Sequence, residues 1–230
     1  MVGALGLTQS GDYVAATQEG FAYFSADGKF SAVHSFLASD MRMNDGKVDP
    51  AGRFWAGSLE LSFEEGRGSL YVLEKDGSYR SVLADLSLSN GMGWSPDAKH
   101  FYFIDSIPGV LKRFDYRLAD GHISNPVNLI TFDTSFGVPD GMTVSSDGMI
   151  VVALWDGGRL EIYEPCGAKV SEIRLEVSRP TSCTFGGANQ DILIVTTASQ
   201  GINRTVEPLA GKILTITGSG LSGLPTHQYG

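Results

Sequence analysis

The chain is poor in cysteine, short of basic residues and free of long apolar runs. Its two cysteines, Cys166 and Cys183, are too few for a disulfide framework, and neither has a nearby histidine at ligand spacing. Both read as reduced thiols. Lysine and arginine number 17 against 26 acidic residues, a net charge of −9 with pI ≈ 4.8. Such a surface repels nucleic-acid phosphates and anionic membranes alike, which removes both as partners. A metal cation or a neutral polar substrate is compatible with it. No stretch approaches the roughly 18 apolar residues of a membrane span. The opening residues lack the basic region and apolar segment of a signal peptide, so a cytoplasmic location is expected by default. The histidines (His34, His100, His122, His227) are dispersed without zinc-ligand pairing. No Gly-x-Ser-x-Gly elbow is present, which disfavours an α/β-hydrolase triad. Gly218-Ser219-Gly220-Leu221-Ser222-Gly223 spells the dinucleotide fingerprint, but it lies too near the C-terminus for a βαβ unit to follow.

No helical period is sustained over twelve residues. What is abundant is glycine, 29 residues, about twice the usual share and scattered between short apolar runs. Those runs repeat. Asp12–Thr17, Arg53–Gly57, His100–Asp105, Met149–Leu154 and Asp191–Thr196 each follow a polar turn. Their successive spacings of roughly 41, 46, 50 and 41 residues match the blade period of a β-propeller. A second run follows each first one through turns such as Asp27-Gly28, Asp76-Gly77 and Cys166-Gly167. The Asp-Gly pairs predict hairpins closed by type I′ turns. The chain therefore reads as all-β, one domain spanning residues 1–230, with five repeats and no linker. Trp55, Trp94 and Trp155 read mainly as core, with Trp155 a candidate for the channel mouth.

Aligning the repeats on Gly11, Gly52, Ala98, Gly148 and Asn189, and stepping back about eight residues, reaches Gly3, Asn44, Asn90, Asp140 and Thr181. Equivalent positions of successive blades form a ring around a propeller's channel. Asn44, Asn90 and Asp140 are thus expected to converge, and three oxygen ligands suit a hard divalent cation such as Ca²⁺ or Mg²⁺. Asn44-Asp45-Gly46, Asn90-Gly91 and Asp140-Gly141 are also ordinary turn sequences, so a purely structural repeat remains open on spacing alone.

Arg42-Met43-Asn44-Asp45-Gly46-Lys47-Val48-Asp49-Pro50-Ala51-Gly52-Arg53-Phe54-Trp55-Ala56-Gly57 resembles the signature stretch of the SMP-30/gluconolactonase/luciferin-regenerating-enzyme family. Ser89–Ser95, Val138–Met142, Thr181–Gly187 and Gly211–Gly218 match further family stretches in the same order. The resemblance covers essentially the whole chain. It implies a six-bladed propeller that holds one divalent metal and hydrolyses sugar lactones. By the same resemblance Asn90 and Asp140 are metal ligands, Asp140 is also the general base, and Arg42 and Asn44 hold sugar hydroxyls. Glu60 lies close to the place of a substrate-contacting acid. Ca²⁺ is the expected ion, with Zn²⁺, Mn²⁺ or Mg²⁺ as alternatives. The family's first blade carries a further glutamate ligand. This sequence starts where the second blade's inner strand would lie, at Gly3–Leu7. The expectation is therefore about five blades and a metal shell one carboxylate short. The alternative is an impaired propeller that binds calcium or a partner without turnover, or that self-associates through exposed blade edges.

Overall fold

The computed structural model describes residues 1–230. Its strands form five antiparallel sheets. The first holds β1 (Val2–Leu7), β2 (Tyr13–Thr17), β3 (Gly20–Phe24) and β4 (Phe30–Ser35). The second holds β5 (Met41–Val48), β6 (Phe54–Glu60), β7 (Gly68–Leu73) and β8 (Tyr79–Leu86). The third holds β9 (Ser89–Trp94), β10 (His100–Asp105), β11 (Val110–Arg117) and β12 (His122–Thr131). The fourth holds β13 (Val138–Val144), β14 (Ile150–Trp155), β15 (Arg159–Tyr163) and β16 (Lys169–Arg174). The fifth holds β17 (Pro180–Gly186), β18 (Ile192–Thr197) and β19 (Ile213–Ile216). Each sheet runs as a meander, and its first strand stands against the first strand of the next: β1 by β5, β5 by β9, β9 by β13, β13 by β17. This is a β-propeller of five blades, as the repeat period predicts.

The core lies between blades. Alternate residues of a strand point to opposite faces, so β10 sends Phe101 and Phe103 toward the second blade, where they join Trp55 of that blade and Trp94 of their own. Its Tyr102 and Ile104 go the other way, to Met142, Ile150 and Val152 of the fourth. Both faces of such a blade are buried, which is why the run Phe101-Tyr102-Phe103-Ile104 shows no alternation of apolar and polar residues. Leu5, Leu7, Tyr13 and Phe30 of the first sheet are exposed on one face. They form an exposed apolar face on the first blade.

The outer hairpins differ from the sequence expectation. At Asp27-Gly28 the amide of Gly28 donates to Ser25 O (2.8 Å) and that of Ser25 to Lys29 O (3.0 Å). The same pair of bonds recurs around Glu74–Ser78 and Glu164–Ala168. Only the glycine has positive φ in each: +85° at Gly28, +84° at Gly77 and +91° at Gly167. These are type I turns closed by a left-handed glycine, one residue longer than a type I′ loop. The extra residue adds local twist, which a blade requires.

Three inner hairpins share that pattern, at Thr8–Asp12, Asp49–Arg53 and Ser145–Met149, each with a polar side chain opening the turn. Asp49 goes furthest. Its Oδ1 accepts from the amides of Ala51 and Arg53 (both 2.9 Å). Its Oδ2 accepts from Arg53 Nη1 (2.8 Å), Trp55 Nε1 (2.9 Å) and the Tyr116 hydroxyl (2.7 Å). Asp49 is fully buried and Arg53 nearly so. Arg53 continues to Leu118 O (2.6 Å), so the knot ties the second blade to the third. In the fifth repeat the left-handed turn residue is Gln190 (φ +55°), one place beyond the Asn189 used for alignment.

The glycine-rich segment after β19 is a strap, not a nucleotide loop. Ser146 N donates to Ser222 O (2.7 Å), Gly223 N to Gln190 O (2.7 Å), Tyr229 N to Leu7 O (2.9 Å) and Gly230 N to Gly52 O (3.1 Å). One segment therefore joins the fifth, fourth, first and second blades. The Tyr229 hydroxyl adds a bond to Glu74 O (2.7 Å).

Removing Asp49 takes the acceptor from the buried Arg53 guanidinium and from four further donors, the amides of Ala51 and Arg53, Trp55 Nε1 and the Tyr116 hydroxyl. Asp49→Ala is expected to cost about 3–5 kcal/mol of unfolding free energy, the range for breaking a buried ion pair. Urea titration followed by tryptophan fluorescence measures it, and a loss below about 1 kcal/mol, the scale of a surface pair, would remove the knot from this role.

Candidate active site at the channel mouth

Every inner strand carries an irregularity at the same phase. The pairing register shifts between Val2 and Ala4, between Met43 and Gly46, between Pro139 and Met142, and between Pro180 and Ser182. In β9 the shift falls between Ser89 and Met92, opposite Phe103–Asp105. The residues set out of register are Gly3, Asn44–Asp45, Asn90–Gly91, Asp140–Gly141 and Thr181. These contain all five ring positions read from the spacing. A β-bulge re-aims a side chain relative to its strand, which is how an otherwise in-sheet residue comes to face a channel.

Glycine beside the bulge permits close approach. A Cβ on Gly91 would lie 2.7 Å from the carbonyl oxygen of Asp140 and the amide nitrogen of Met142. A Cβ on Gly141 would lie 2.2 Å from Ser182 Oγ. The strands that carry Asn90 and Asp140 thus touch backbone to backbone.

The structure joins three predicted residues, Arg42, Asn44 and Asn90, by short links that run on to the peptide before Asp140. Arg42 Nη1 donates to Asn44 Oδ1 (2.7 Å) and to its neighbour's carbonyl, Met43 O (3.1 Å). Asn44 Nδ2 donates to Asn90 Oδ1 and to Ser89 O (both 2.9 Å). Asn90 Nδ2 donates to Ser106 Oγ (2.8 Å), and Ser106 Oγ to Pro139 O (2.6 Å), the carbonyl just before Asp140. Both amide protons of Asn44 are committed to the third blade, which leaves only its oxygen for a ligand. Glu60 does not join this group. It is buried, and its Oε2 accepts from Ser62 N (2.7 Å), Ser62 Oγ (2.6 Å) and Glu64 N (3.1 Å). The Ser62 hydroxyl is the main reason its carboxyl is held below the usual range. Leu59, not Glu60, is the cross-strand partner of Arg42, so Glu60 lies on the opposite face of β6.

Charges at the mouth are left unpaired. Arg42, Asp45, Lys47 and Asp140 are half-buried, and none belongs to an ion pair of the structure. Burial pushes the Asp140 carboxyl well above the ordinary aspartate range, and the negative charge of Asp45 pushes it further. Burial likewise raises Asp45, against the pull of Lys47. Burial lowers Lys47, whose Nζ crosses the channel to donate to Met142 O (2.9 Å). Two carboxylates that repel each other in a low-dielectric setting are the condition a divalent cation relieves. The donors are hard oxygens, Asn90 Oδ1 and the Asp140 carboxylate, so the set fits Ca²⁺, Mg²⁺ or Mn²⁺ by chemistry. No three His, Cys, Asp or Glu side chains form a cage. The remaining positions of a six-to-eight-coordinate shell would fall to water or substrate.

The other sequence candidates lie elsewhere. Cys183 is buried, its thiol pushed up to about 12 by burial, and Cys166 is exposed and free. His34 contacts Gly77 O, and His227 lines a cavity of about 150 Å³ with Lys47, Trp94 and Thr143. Trp55 and Trp94 are core, whereas Trp155 is half-buried under the Arg179 guanidinium at 4.8 Å. Sequence reasoning passed over Asp45, Lys47 and Ser106 as chemistry. Asp45 and Lys47 stand in the quoted signature stretch, but Ser106 follows β10 with no pattern to mark it.

The fold and the channel mouth define a class first: a β-propeller whose inner strands carry polar side chains on bulges. The chain belongs, more narrowly, to the SMP-30/gluconolactonase/LRE-like family, whose profile matches residues 1–199. It is 36% identical over 240 aligned positions to regucalcin from Sus scrofa, covering 99% of this chain and 80% of that protein. A luciferin-regenerating enzyme superposes with TM-score 0.91 at 27% identity, covering 100% of this chain and 81% of that one. A calcium-binding regucalcin from Agrobacterium tumefaciens gives TM-score 0.94 at 24% identity, covering 100% and 80%, and shows the same fold. No helix is long and apolar enough to cross a membrane.

The raised Asp140 carboxyl makes a signed prediction. A folded-state value above the unfolded one means that folding is penalised once pH exceeds the unfolded carboxyl's range. The penalty grows as pH climbs to the raised value and is complete above it. With a chelator present, Asp140→Asn should therefore raise Tm at pH 7, by about 2–4 °C for each kcal/mol relieved. The gain should vanish as pH falls through the ordinary aspartate range. A variant less stable than the parent at pH 7 under chelation contradicts this placement of Asp140.

Proposed function

We propose that the chain is a divalent-cation-dependent hydrolase of sugar lactones. The observation that carries the reading is the unpaired set at the mouth. The Asp140 carboxylate feels the charge of Asp45, neither aspartate nor Arg42 has an ion-pair partner, and Asn90 sits one blade before Asp140 with its amide bonded to Asn44 and Ser106. Membership of a family named for gluconolactonase gives the substrate class.

A divalent cation held by Asn90 and Asp140 would supply Lewis-acid polarisation of the lactone carbonyl. Asp140 takes a proton from water as the water oxygen bonds to the carbonyl carbon. The ring C–O bond then breaks, and that proton passes to the departing alkoxide, giving the open hydroxy acid. Arg42 keeps free N–H groups after bonding Asn44 and Met43, and these hold substrate hydroxyls. Asn44 contributes its oxygen. Fixing the ring in this way converts a bimolecular attack into a positioned one. Glu60 holds its own loop in this scheme.

The test is acid release from gluconolactone by the purified chain with Ca²⁺, Zn²⁺, Mn²⁺ or Mg²⁺ in turn. Asp140→Asn should lower kcat by about 10²–10⁴, the range for a lost general base. Arg42→Ala should act mainly on KM, by roughly tenfold for each charge-assisted bond lost. Intact protein with no cation-dependent rate above background would eliminate the hydrolytic reading. Cation binding without turnover would instead favour a calcium-binding role.

A further inference from the structure

The links from Arg42 to Pro139 run in one direction only. A guanidinium carries donors and no acceptor, so the atom of Asn44 that faces Arg42 is its oxygen. The Asn44 nitrogen then faces Asn90, and the atom it meets must be the Asn90 oxygen. At the other end, the Pro139 carbonyl can only accept. It takes the single proton of the Ser106 hydroxyl, so Ser106 can offer Asn90 nothing but lone pairs. The Asn90 nitrogen must face Ser106. Both ends give the same orientation for the amide between them. A flipped Asn90 would set its N–H groups against those of Asn44, and its oxygen against a hydroxyl whose proton is already placed.

We propose that Ser106 is a positioning residue of this site, holding the Asn90 amide oxygen toward the channel and tying it to the strand of Asp140. Among the linked groups from Arg42 to Pro139, Ser106 alone both donates and accepts through a single atom. It is buried, at 1% exposure, so no water replaces it in either bond. Its backbone is pinned as well, since its amide donates to Leu88 O (3.0 Å) and its carbonyl accepts from Gly109 N (3.1 Å). With Ser106 in place, Asn90 Oδ1 accepts from Asn44 and keeps a second lone pair free. Without it, the Asn90 amide loses the bond that sets its sense, and the Pro139 carbonyl loses its donor one residue before Asp140. Ser106 touches neither substrate nor cation. Its effect on cation affinity rests on the hydrolytic reading above; its effect on the amide does not.

Two measurements on the full chain separate these. Side-chain amide exchange by ¹⁵N NMR should show the Asn90 Nδ2 protons about tenfold or more slower than exposed amides. In Ser106→Ala that protection should be lost while the backbone amides of β9 and β13 stay protected, a change that general loosening would not produce. Calorimetric titration with Mn²⁺ or Ca²⁺ alone should show Ser106→Ala weaker by about 10–100-fold, the usual effect of removing a ligand's orienting partner. Ser106→Cys keeps the shape with a poor hydrogen-bonding atom, should fall between the two, and serves if the alanine variant does not fold. Unchanged Asn90 protection in either variant overturns the proposal. Equal cation affinity in parent and variants overturns its functional half. A parent chain that binds no divalent cation overturns both the hydrolytic reading and that functional half, while the exchange measurement still decides the orientation of Asn90.

Discussion

Inner strands that converge on one axis have little space between them, and that shortage governs the rest of the propeller. Where β9 meets β13, even a methyl group on Gly91 would run into backbone. Such a contact cannot be relieved by a rotamer change, because the obstacle is the neighbouring chain itself. The strands answer with a bulge in each register, which lets two residues oppose one and bends the strand away from a clash. The residue beside the glycine is thereby turned out of the sheet. Convergence creates the bulge, and the bulge creates the site.

That geometry has an electrostatic cost which the fold treats in two ways. Asp49, deep in an inner hairpin, is given five donors, one of them a guanidinium, so its charge is compensated from within the fold. Asp45 and Asp140 receive no comparable set: burial raises the proton affinity of both, the charge of Asp45 raises that of Asp140 further, and neither meets Lys47 within ion-pair distance. A structural carboxylate is satisfied from within the protein. One left partly desolvated and unpartnered destabilises the fold until something else arrives, which is the usual signature of a functional position. The contrast between two aspartates four residues apart, Asp45 and Asp49, separates scaffold from site more sharply than their shared signature stretch does.

The propeller and the ring were legible in the sequence because both are periodic. Polar turns recur at blade intervals, and stepping back from them reached Asn44, Asn90 and Asp140 without any knowledge of pairing. Family resemblance added Arg42. What escaped was aperiodic. Glu60 matched by composition and approximate place, yet strand alternation puts it on the far face of β6, where Ser62 engages it. The type I′ expectation failed because Asp-Gly also fits a type I turn followed by a left-handed glycine, and only the hydrogen bonds around Ser25 and Lys29 distinguish the two. Ser106 could not be read at all. Its importance comes from contact with residues 16 positions earlier and 33 later, and serine is too common in turns for its type to signal anything.

A hydrogen-bond chain fixed in sense at both ends also settles how recognition can coexist with order at the mouth. Arg42 commits one nitrogen of its fork, Nη1, to Asn44 and Met43. Its other donors remain available, so a substrate hydroxyl can be bound without breaking the first link. An occupied guanidinium loses freedom, and Asn44 is then held more firmly against Asn90. Bonds in such a chain polarise one another, so strengthening one end strengthens the next. By linkage the relation must be reciprocal: whatever orders Asn90 and the Pro139–Asp140 peptide must favour the ordered Arg42 by the same free energy. Substrate and cation would therefore assist each other through bonds already present in the fold, with no movement of a blade required.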